Sequence, residues 1–87
     1  MAAFEVFISE NARQEFKVLS STLQERIKKK LGLVCENPLH YFERLKGRSE
    51  YKLRVGDYRI IAEINLSGKR IEVGKIGHRS KIYKELN

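Results

Sequence analysis

The segment that most constrains the fold is residues 51–64, which read YKLRVGDYRIIAEI. Apolar and polar side chains alternate along it, and successive side chains of a strand point to opposite faces of a sheet. Gly56 and Asp57 interrupt the alternation as a two-residue turn signal. A turn at this dipeptide brings three apolar pairs onto one face, namely Val55 with Tyr58, Leu53 with Ile60, and Tyr51 with Ala62. We therefore predict a β-hairpin with one buried face.

The other face of this hairpin is strongly basic. The same register sets Arg54 directly opposite Arg59, with Lys52 two residues away along the strand. Like charges that face each other across an antiparallel pair destabilise it. An anion between the two arginines relieves their repulsion, and the planar fork of arginine suits phosphate in particular. This face of the hairpin is accordingly interpreted as an anion-binding surface.

The charge of the whole chain supports a polyanion ligand. The formal net charge is +7, and it is unevenly distributed. Residues 1–42 hold six basic and five acidic side chains, whereas residues 43–87 hold twelve and six. A concentrated positive region is typical of a protein that binds nucleic acid. Solubility and an acidic protein partner remain the alternative explanations of the charge.

Two helices are predicted before the hairpin, after a first strand over residues 3–8. Ser9 is a suitable N-cap for a short helix whose apolar residues are Ala12, Phe16 and Leu19. Capping-box patterns, either Ser21 with Gln24 or Thr22 with Glu25, predict the start of a second helix. Its apolar stripe consists of Leu23, Ile27, Leu31 and Val34. Asn37-Pro38 ends it, because a residue that precedes proline avoids the α region.

More strands are predicted around the hairpin. A short strand is expected around Phe42 to Leu45, and another over residues 71–78. Ile71 and Val73 share one parity and Ile76 has the other, so we predict a bulge at Gly74 that brings all three to the core face. Residues 79–87 form a short polar tail, helical at most.

These elements define an α+β fold in one small domain, residues 1–87. The predicted order is β-α-α-β-β-β-β with a short C-terminal helix, and the helical hairpin covers one face of a mainly antiparallel sheet. A length of 87 residues with 41% hydrophobic content suits a single modest core.

Several classes of protein are excluded by what the sequence lacks. Cys35 is the single cysteine, which excludes an internal disulfide and is interpreted as a small apolar residue on the inner side of the second helix. The two histidines, His40 and His78, have no metal-ligand spacing with it, and no glycine loop for phosphate is present. We predict no metal and no cofactor. No apolar run approaches the roughly 18 residues of a membrane helix and no signal peptide is recognisable, so we expect a soluble, cytoplasmic protein.

The stretch RLKGRSEYKLRVGDYRIIAEI, followed by IEVGKIGHRSKIYK, resembles the RelE/ParE toxin superfamily and especially its RelE-like mRNA interferases. The preceding strand and helices match the order of elements in that family. The resemblance implies the toxin of a type II toxin–antitoxin system. It implies a metal-independent endoribonuclease that cuts mRNA in the ribosomal A site by attack of the ribose 2′-hydroxyl on the adjacent phosphate. It also implies a cognate acidic, RelB-like antitoxin in a hetero-oligomer, and contact with the 16S rRNA region.

Five residues match the functional positions of the family. Lys52 and Arg54 match its two strand cations, the first a candidate base and the second a phosphate-stabilising group. Arg59 matches the arginine of the next strand. Arg79 and Tyr83 match an arginine and a tyrosine near the C-terminus, and the tyrosine would stack on or orient a base. Catalysis without metal needs such cations to stabilise the pentavalent phosphorane.

Further candidates follow from residue chemistry. His78 is a candidate proton-transfer group, because histidine titrates near neutral pH. The other basic residues near the site are candidates for binding substrate, with solvated surface charges as the alternative, and they are Lys46, Arg48, Lys75 and Lys81.

The sequence departs from the family pattern at two positions. Arg54 stands where mRNA-cleaving members can have lysine, and arginine does not readily act as a base. Ala62 replaces a tyrosine that is common after the arginine-strand motif. Two alternatives therefore stay open, a ParE-type inhibitor of DNA gyrase and a catalytically inactive member that binds nucleic acid.

Overall fold

In a computed structural model, which describes residues 3–86, the chain forms one five-stranded sheet packed by helices. The strands are β1 (Glu5–Ile8), β2 (Glu43–Arg44), β3 (Tyr51–Val55), β4 (Tyr58–Asn65) and β5 (Arg70–His78). The helices are α1 (Glu10–Lys17), α2 (Ser21–Val34), α3 (Pro38–Tyr41) and α4 (Arg79–Glu85). The sheet order is β1-β5-β4-β3-β2, with β1 parallel to β5 and the other neighbours antiparallel. The α+β prediction is confirmed, and Asn87, the end of the predicted tail, lies outside the described residues.

The hairpin has the register predicted from its turn. Its pairs are Tyr51 with Ala62, Lys52 with Ile61, Leu53 with Ile60, Arg54 with Arg59, and Val55 with Tyr58. Gly56 has a φ of 59°, in the left-handed region that glycine adopts without steric cost. The short strand expected before the hairpin is also present, as β2.

The predicted bulge in β5 is confirmed. Ile61 pairs with Lys75 and the next residue of β4, Ala62, pairs with Val73, so Gly74 is the extra residue. The parity of β5 changes at this point, and Ile76 joins Val73 in the core on the helical side of the sheet.

The caps of the two long helices fit the prediction only in part. Ser9 caps α1 as expected, and its hydroxyl accepts from the backbone N–H of Ala12 at 3.1 Å. Both predicted capping boxes of α2 are wrong, because the N-cap is Ser20, which accepts from Leu23 N at 3.2 Å. The Gln24 side chain instead donates to a backbone carbonyl at the end of α1, which ties the two helices together.

The segment after α2 holds an element that was not predicted. The helix ends at Val34, before Asn37-Pro38, and Pro38 then opens the short helix α3, where its fixed φ suits the first turn. The interpretation of Cys35 as part of the inner face of α2 is wrong, because it is the half-buried C-cap residue, and its Sγ donates to the Leu31 carbonyl at 3.1 Å. Burial raises the pKa of this thiol.

Apolar residues fill both faces of the sheet. The main core lies between the sheet and α1 and α2, and its buried members include Ile27, Val34, Leu53, Ile60, Ile71 and Val73. A smaller cluster on the opposite face consists of Leu45, Ile61 and Ile82, with Leu86 against it. The second cluster was not predicted, and it fixes α4 on the open face. None of the helices within residues 3–86 is long and apolar enough to cross a bilayer.

Candidate active site

The open face of the sheet carries two neighbouring rows of residues. Lys52 of β3 pairs with Ile61 of β4, which pairs with Lys75 of β5. In the next row on the same face, Arg54 pairs with Arg59, which pairs with Gly77 of β5. The sheet register alone therefore concentrates four basic residues around one apolar side chain on this face.

Helix α4 packs on this face through one apolar anchor. Ile82 is only 1% exposed and contacts the cluster of Leu45 and Ile61. A Cβ at Gly77 would lie 3.0 Å from Ile82 Cδ1, so the absence of a side chain there allows this close approach. The anchor holds the polar residues of α4 beside the basic rows.

Lys52 and Tyr83 are brought together by this packing. The Lys52 ammonium nitrogen lies 5.6 Å from the centroid of the Tyr83 ring, within cation–π range. Tyr83 is 37% exposed and Lys52 is half-buried, so both side chains can reach a ligand on this face.

Arg79 links the start of α4 to the hairpin turn. Its backbone N–H donates to the Asp57 carbonyl at 2.8 Å, and its Nε lies 3.7 Å from Asp57 Oδ1. Both side chains are largely exposed, and exposed ion pairs of this kind contribute little stability. The contact therefore places the guanidinium at the edge of the basic rows and leaves it accessible to a ligand.

His78 is engaged as the N-cap of α4. Its Nδ1 accepts from the Ser80 backbone N–H at 3.1 Å and lies 2.8 Å from Ser80 Oγ. The ring packs edge-on against Tyr58 at a centroid distance of 5.3 Å. Because an Nδ1 that accepts from an N–H carries no proton, the neutral ring has its proton on Nε2. In this geometry Nε2–H can donate a hydrogen bond, whereas acid or base catalysis by His78 involves the imidazolium, in which a protonated Nδ1 no longer caps the helix.

Arg54 and Arg59 face each other as predicted but have different surroundings. Arg59 is 6% exposed, and its Nη1 donates to the carbonyls of Gly56 and Tyr58 at 3.0 and 2.9 Å. Its Nε is buried without a hydrogen-bond partner among the described residues. Arg54 is exposed. The expectation that one anion lies between both guanidinium groups stays a prediction, and in this structure carbonyl oxygens of the turn already accept from Nη1 of Arg59.

The four predicted substrate-binding residues divide into two pairs. Lys75 binds Glu85 at 3.0 Å, and Arg48 binds Glu50 at 2.8 Å, so both are engaged within the protein. Lys46 and Lys81 are exposed and form no ion pair within residues 3–86.

Two features of the site were missed from the sequence. Ile61 and Ile82 anchor α4, and the only signal was that each breaks an otherwise polar pattern. Arg26, Lys29 and Lys30, from the run RIKKK in α2, line one cleft together with Arg54, and the run itself was a signal. Across residues 3–86, no three His, Cys, Asp or Glu side chains lie close enough to hold a metal ion together.

The fold and this face define a small α+β protein with an exposed basic sheet surface beside a C-terminal helix. Residues 6–83 match a family model described as the ParE toxin of the parDE type II toxin–antitoxin system. The mRNA interferase toxin RelE of Escherichia coli K12 is 32% identical over 95% of this chain and 93% of its own length. The chain therefore belongs to the RelE/ParE superfamily of type II toxins.

Solved structures agree with this assignment. The intact E. coli RelBE toxin–antitoxin complex contains a chain that is 32% identical, with a TM-score of 0.73 over 88% of this chain and 96% of that one. The RelBE2 complex of Mycobacterium tuberculosis gives a TM-score of 0.80 at 18% identity, over 90% of this chain and 100% of that one. The second likeness shows the fold alone.

Proposed function

We propose that this toxin is an endoribonuclease that cuts mRNA in the ribosomal A site without a metal ion. The observation that carries the proposal is the group of accessible residues Lys52, Arg54, Arg79 and Tyr83 around the α4 anchor. The name of the 32% identical E. coli relative, an mRNA interferase toxin, supports the same activity.

The proposed reaction is a transfer of phosphorus from the 5′-oxygen to the 2′-oxygen. A base removes the proton of the ribose 2′-hydroxyl, and the 2′-oxygen forms a bond to the adjacent phosphorus. The bond from phosphorus to the 5′-oxygen then breaks, and an acid supplies a proton to that oxygen. The products are a 2′,3′-cyclic phosphate and a 5′-hydroxyl, and the intermediate carries extra negative charge that cations stabilise.

Each residue has a distinct part in this scheme. Lys52 in its neutral form is the candidate base, and Arg54 with Arg79 binds the charged phosphate oxygens. Tyr83 stacks on a base of the RNA. His78 in its imidazolium form is the candidate acid that protonates the 5′-oxygen from Nε2, and in that form its protonated Nδ1 no longer accepts from the Ser80 N–H.

The remaining basic residues act around this centre. Arg59 is buried, so we assign it a positioning role in which it holds the hairpin turn and adds positive potential beneath the phosphate. Lys46 and Lys81 are free to contact RNA phosphates. Lys75 and Arg48 do so only if they exchange their present carboxylate partners.

A cognate antitoxin is part of the proposal. Structures of relatives hold RelE-type toxins together with RelB antitoxins. An acidic, RelB-like antitoxin complements the basic face, and its binding there in a hetero-oligomer would exclude RNA. Action on mRNA at the ribosome places the substrate, the neighbouring 16S rRNA and the toxin in the cytoplasm.

Cleavage can be tested with purified ribosomes, a defined mRNA and mapping of the cut ends. We expect cuts within the A-site codon and a 2′,3′-cyclic phosphate at the new 3′ end. Lys52→Ala and Arg54→Ala should each slow cleavage about 10- to 100-fold, because a hydrogen bond to a charged group contributes ~1.5–3 kcal/mol. Lys17→Ala, which removes an exposed charge from α1, should cleave at the wild-type rate.

The second candidate is a ParE-type gyrase inhibitor, which the description of the matching family model favours. Intact mRNA on ribosomes together with inhibited DNA supercoiling by gyrase would replace the nuclease proposal with this one. Equal cleavage rates for Lys52→Ala, Arg54→Ala and the wild type would reject the site.

A further inference from the structure

A basic cleft lies between α2 and the outer edge of β3. Arg26, Lys29 and Lys30 enter it from the helix, and Arg54 enters it from the strand. The cleft has a volume of about 530 Å³ and is open to solvent. Arg26, Lys29 and Lys30 do not match any of the functional positions of the RelE/ParE family named above.

The sheet topology explains why this cleft exists. Strand β2 pairs only with Tyr51 and Lys52 of β3, so Arg54 lies on a part of β3 that has no neighbouring strand on that side. Helix α2 passes this edge at the hairpin turn, where a Cβ built on Gly56 would be 3.1 Å from Arg26 Nη2. The turn therefore supports one guanidinium of the cleft directly.

The charges of the cleft are not compensated within the described part of the chain. No acidic side chain lines it, and none of its four cations takes part in an ion pair within residues 3–86. Elsewhere on the surface, Arg13, Arg48, Arg70, Lys75 and Arg79 each have a carboxylate within 4.0 Å. Four uncompensated cations around one cleft repel each other, and a bound polyanion removes that repulsion.

We propose that this cleft is a second binding site for RNA phosphates, which holds the RNA backbone outside the nucleotides that react. The proposal rests on the proposed function, because Arg54 belongs both to the basic rows of the active site and to the cleft. A strand with its scissile phosphate at Lys52 and Arg54 can continue past the hairpin turn onto α2. Leu33, at the rim, is 53% exposed and offers an apolar contact for a ribose or base.

The test uses two double variants that remove the same charge. Lys29→Gln/Lys30→Gln changes the cleft, and Lys17→Gln/Lys69→Gln changes exposed lysines on α1 and in the turn between β4 and β5. The RNA is single-stranded, labelled with fluorescein and 2′-O-methylated, so it lacks the attacking hydroxyl. Its affinity for each variant and for the wild type is measured by fluorescence anisotropy over a range of salt concentrations. We expect the cleft variant to bind about fivefold more weakly, with a log–log salt slope reduced by about 1.4 for two lost phosphate contacts. The control should stay within about twofold of the wild type.

The Lys30 ammonium also lies 5.6 Å from the Tyr41 ring centroid, so thermal unfolding of the cleft variant is compared with that of the wild type. Arg26→Gln supplies a second variant if the double variant melts earlier, and it should weaken RNA binding in the same way. Equal losses in the cleft and control variants would show an effect of net charge only and overturn the proposal. Unchanged RNA affinity with weakened binding of an acidic peptide would also overturn it, in favour of a protein partner.

The design separates this inference from the proposed function, because the methylated RNA cannot react by the proposed mechanism. A wild-type toxin that fails to cut mRNA would refute the proposed function, while a selective binding loss would still support the cleft. Normal cleavage with equal RNA binding by both double variants would refute the cleft alone.

Discussion

Arg54 and Arg59 face each other across one hairpin, but they differ in burial and in hydrogen bonding. Arg59 donates to two carbonyls of the turn and is almost fully buried, whereas Arg54 has no such bonds within residues 3–86 and stays exposed. A buried cation is destabilising unless hydrogen bonds replace its hydration. The exposed Arg54 keeps its donors free, which is why it carries both the proposed catalytic phosphate and the proposed second phosphate site.

Two glycines give a stability test at the scale of single residues. Gly56 has a φ of 59°, and a Cβ there would approach the Arg26 guanidinium, so Gly56→Ala should destabilise the protein by about 1–2 kcal/mol. Gly32 lies in α2 with nothing within 4 Å of a new Cβ, so Gly32→Ala should stabilise it by about 0.5–1 kcal/mol. Urea unfolding measures both, and a shift of the same sign in both variants would contradict the explanation.

At the scale of elements, the sequence predicted the features that depend only on neighbouring residues, which are the hairpin register and the β5 bulge. The Gly-Asp turn sets the register of the hairpin, and the change of parity at Gly74 reveals the bulge. The short helix α3 escaped prediction because Pro38 both ends one pattern and starts another. The cluster of Leu45, Ile61 and Ile82 escaped because it forms only when α4 folds back over β4, a contact between distant residues that no local pattern encodes.

An ion pair within the loop between β2 and β3, which also hydrogen-bonds to the end of α4, gives a test of pH dependence. Arg48 donates to both carboxylate oxygens of Glu50 at 2.8 and 3.0 Å and to the Leu86 carbonyl at 2.8 Å. The hydrogen bond from Arg48 lowers the pKa of Glu50 below the ordinary value of 4.5. A carboxyl group with a lowered folded-state pKa contributes stability above its unfolded pKa and loses that contribution as the pH falls through the folded pKa.

Glu50→Gln should therefore lower the urea midpoint at neutral pH, and the difference from the wild type should disappear once the pH falls below the folded pKa. Glu25→Gln, on the exposed surface of α2, serves as the control and should differ little from the wild type across the range. A Glu50→Gln difference that is equally large in acid and at neutral pH would contradict the role of the carboxylate charge.

At the scale of the whole molecule, the main core and most of the basic residues of the proposed site lie on opposite faces of one sheet. The main core is on the helical side, where Ile71 has no exposed surface. The basic residues and the proposed phosphate sites occupy the open face and the β3 edge, where substitutions leave that core intact. This separation is what allows charge variants of the site to be compared without loss of the fold.

The protein should unfold in one cooperative transition, as expected for a chain of this size. The cost of truncating a core side chain can therefore be measured as a change in the free energy of unfolding. Ile71→Ala should cost about 2–5 kcal/mol, through lost burial and the cavity left behind. Leu66→Ala, at a side chain that is 54% exposed, should change the free energy of unfolding by about 0.5 kcal/mol or less. Urea unfolding followed by circular dichroism measures both values. If the two variants lost similar free energy of unfolding, Ile71 would not be part of the main core.

The parallel pairing of β1 with β5 has a consequence for how the protein is made. Glu5 is aligned with Arg70, so β1 pairs with a strand that is synthesised more than 60 residues later, the last strand within residues 3–86. Contacts between such distant parts of a chain form late, because closing the long intervening loop costs entropy before the contact can compensate for it. Helix α4, which completes the open face, is made later still. A nascent chain therefore lacks the finished open face until both β5 and α4 have been synthesised.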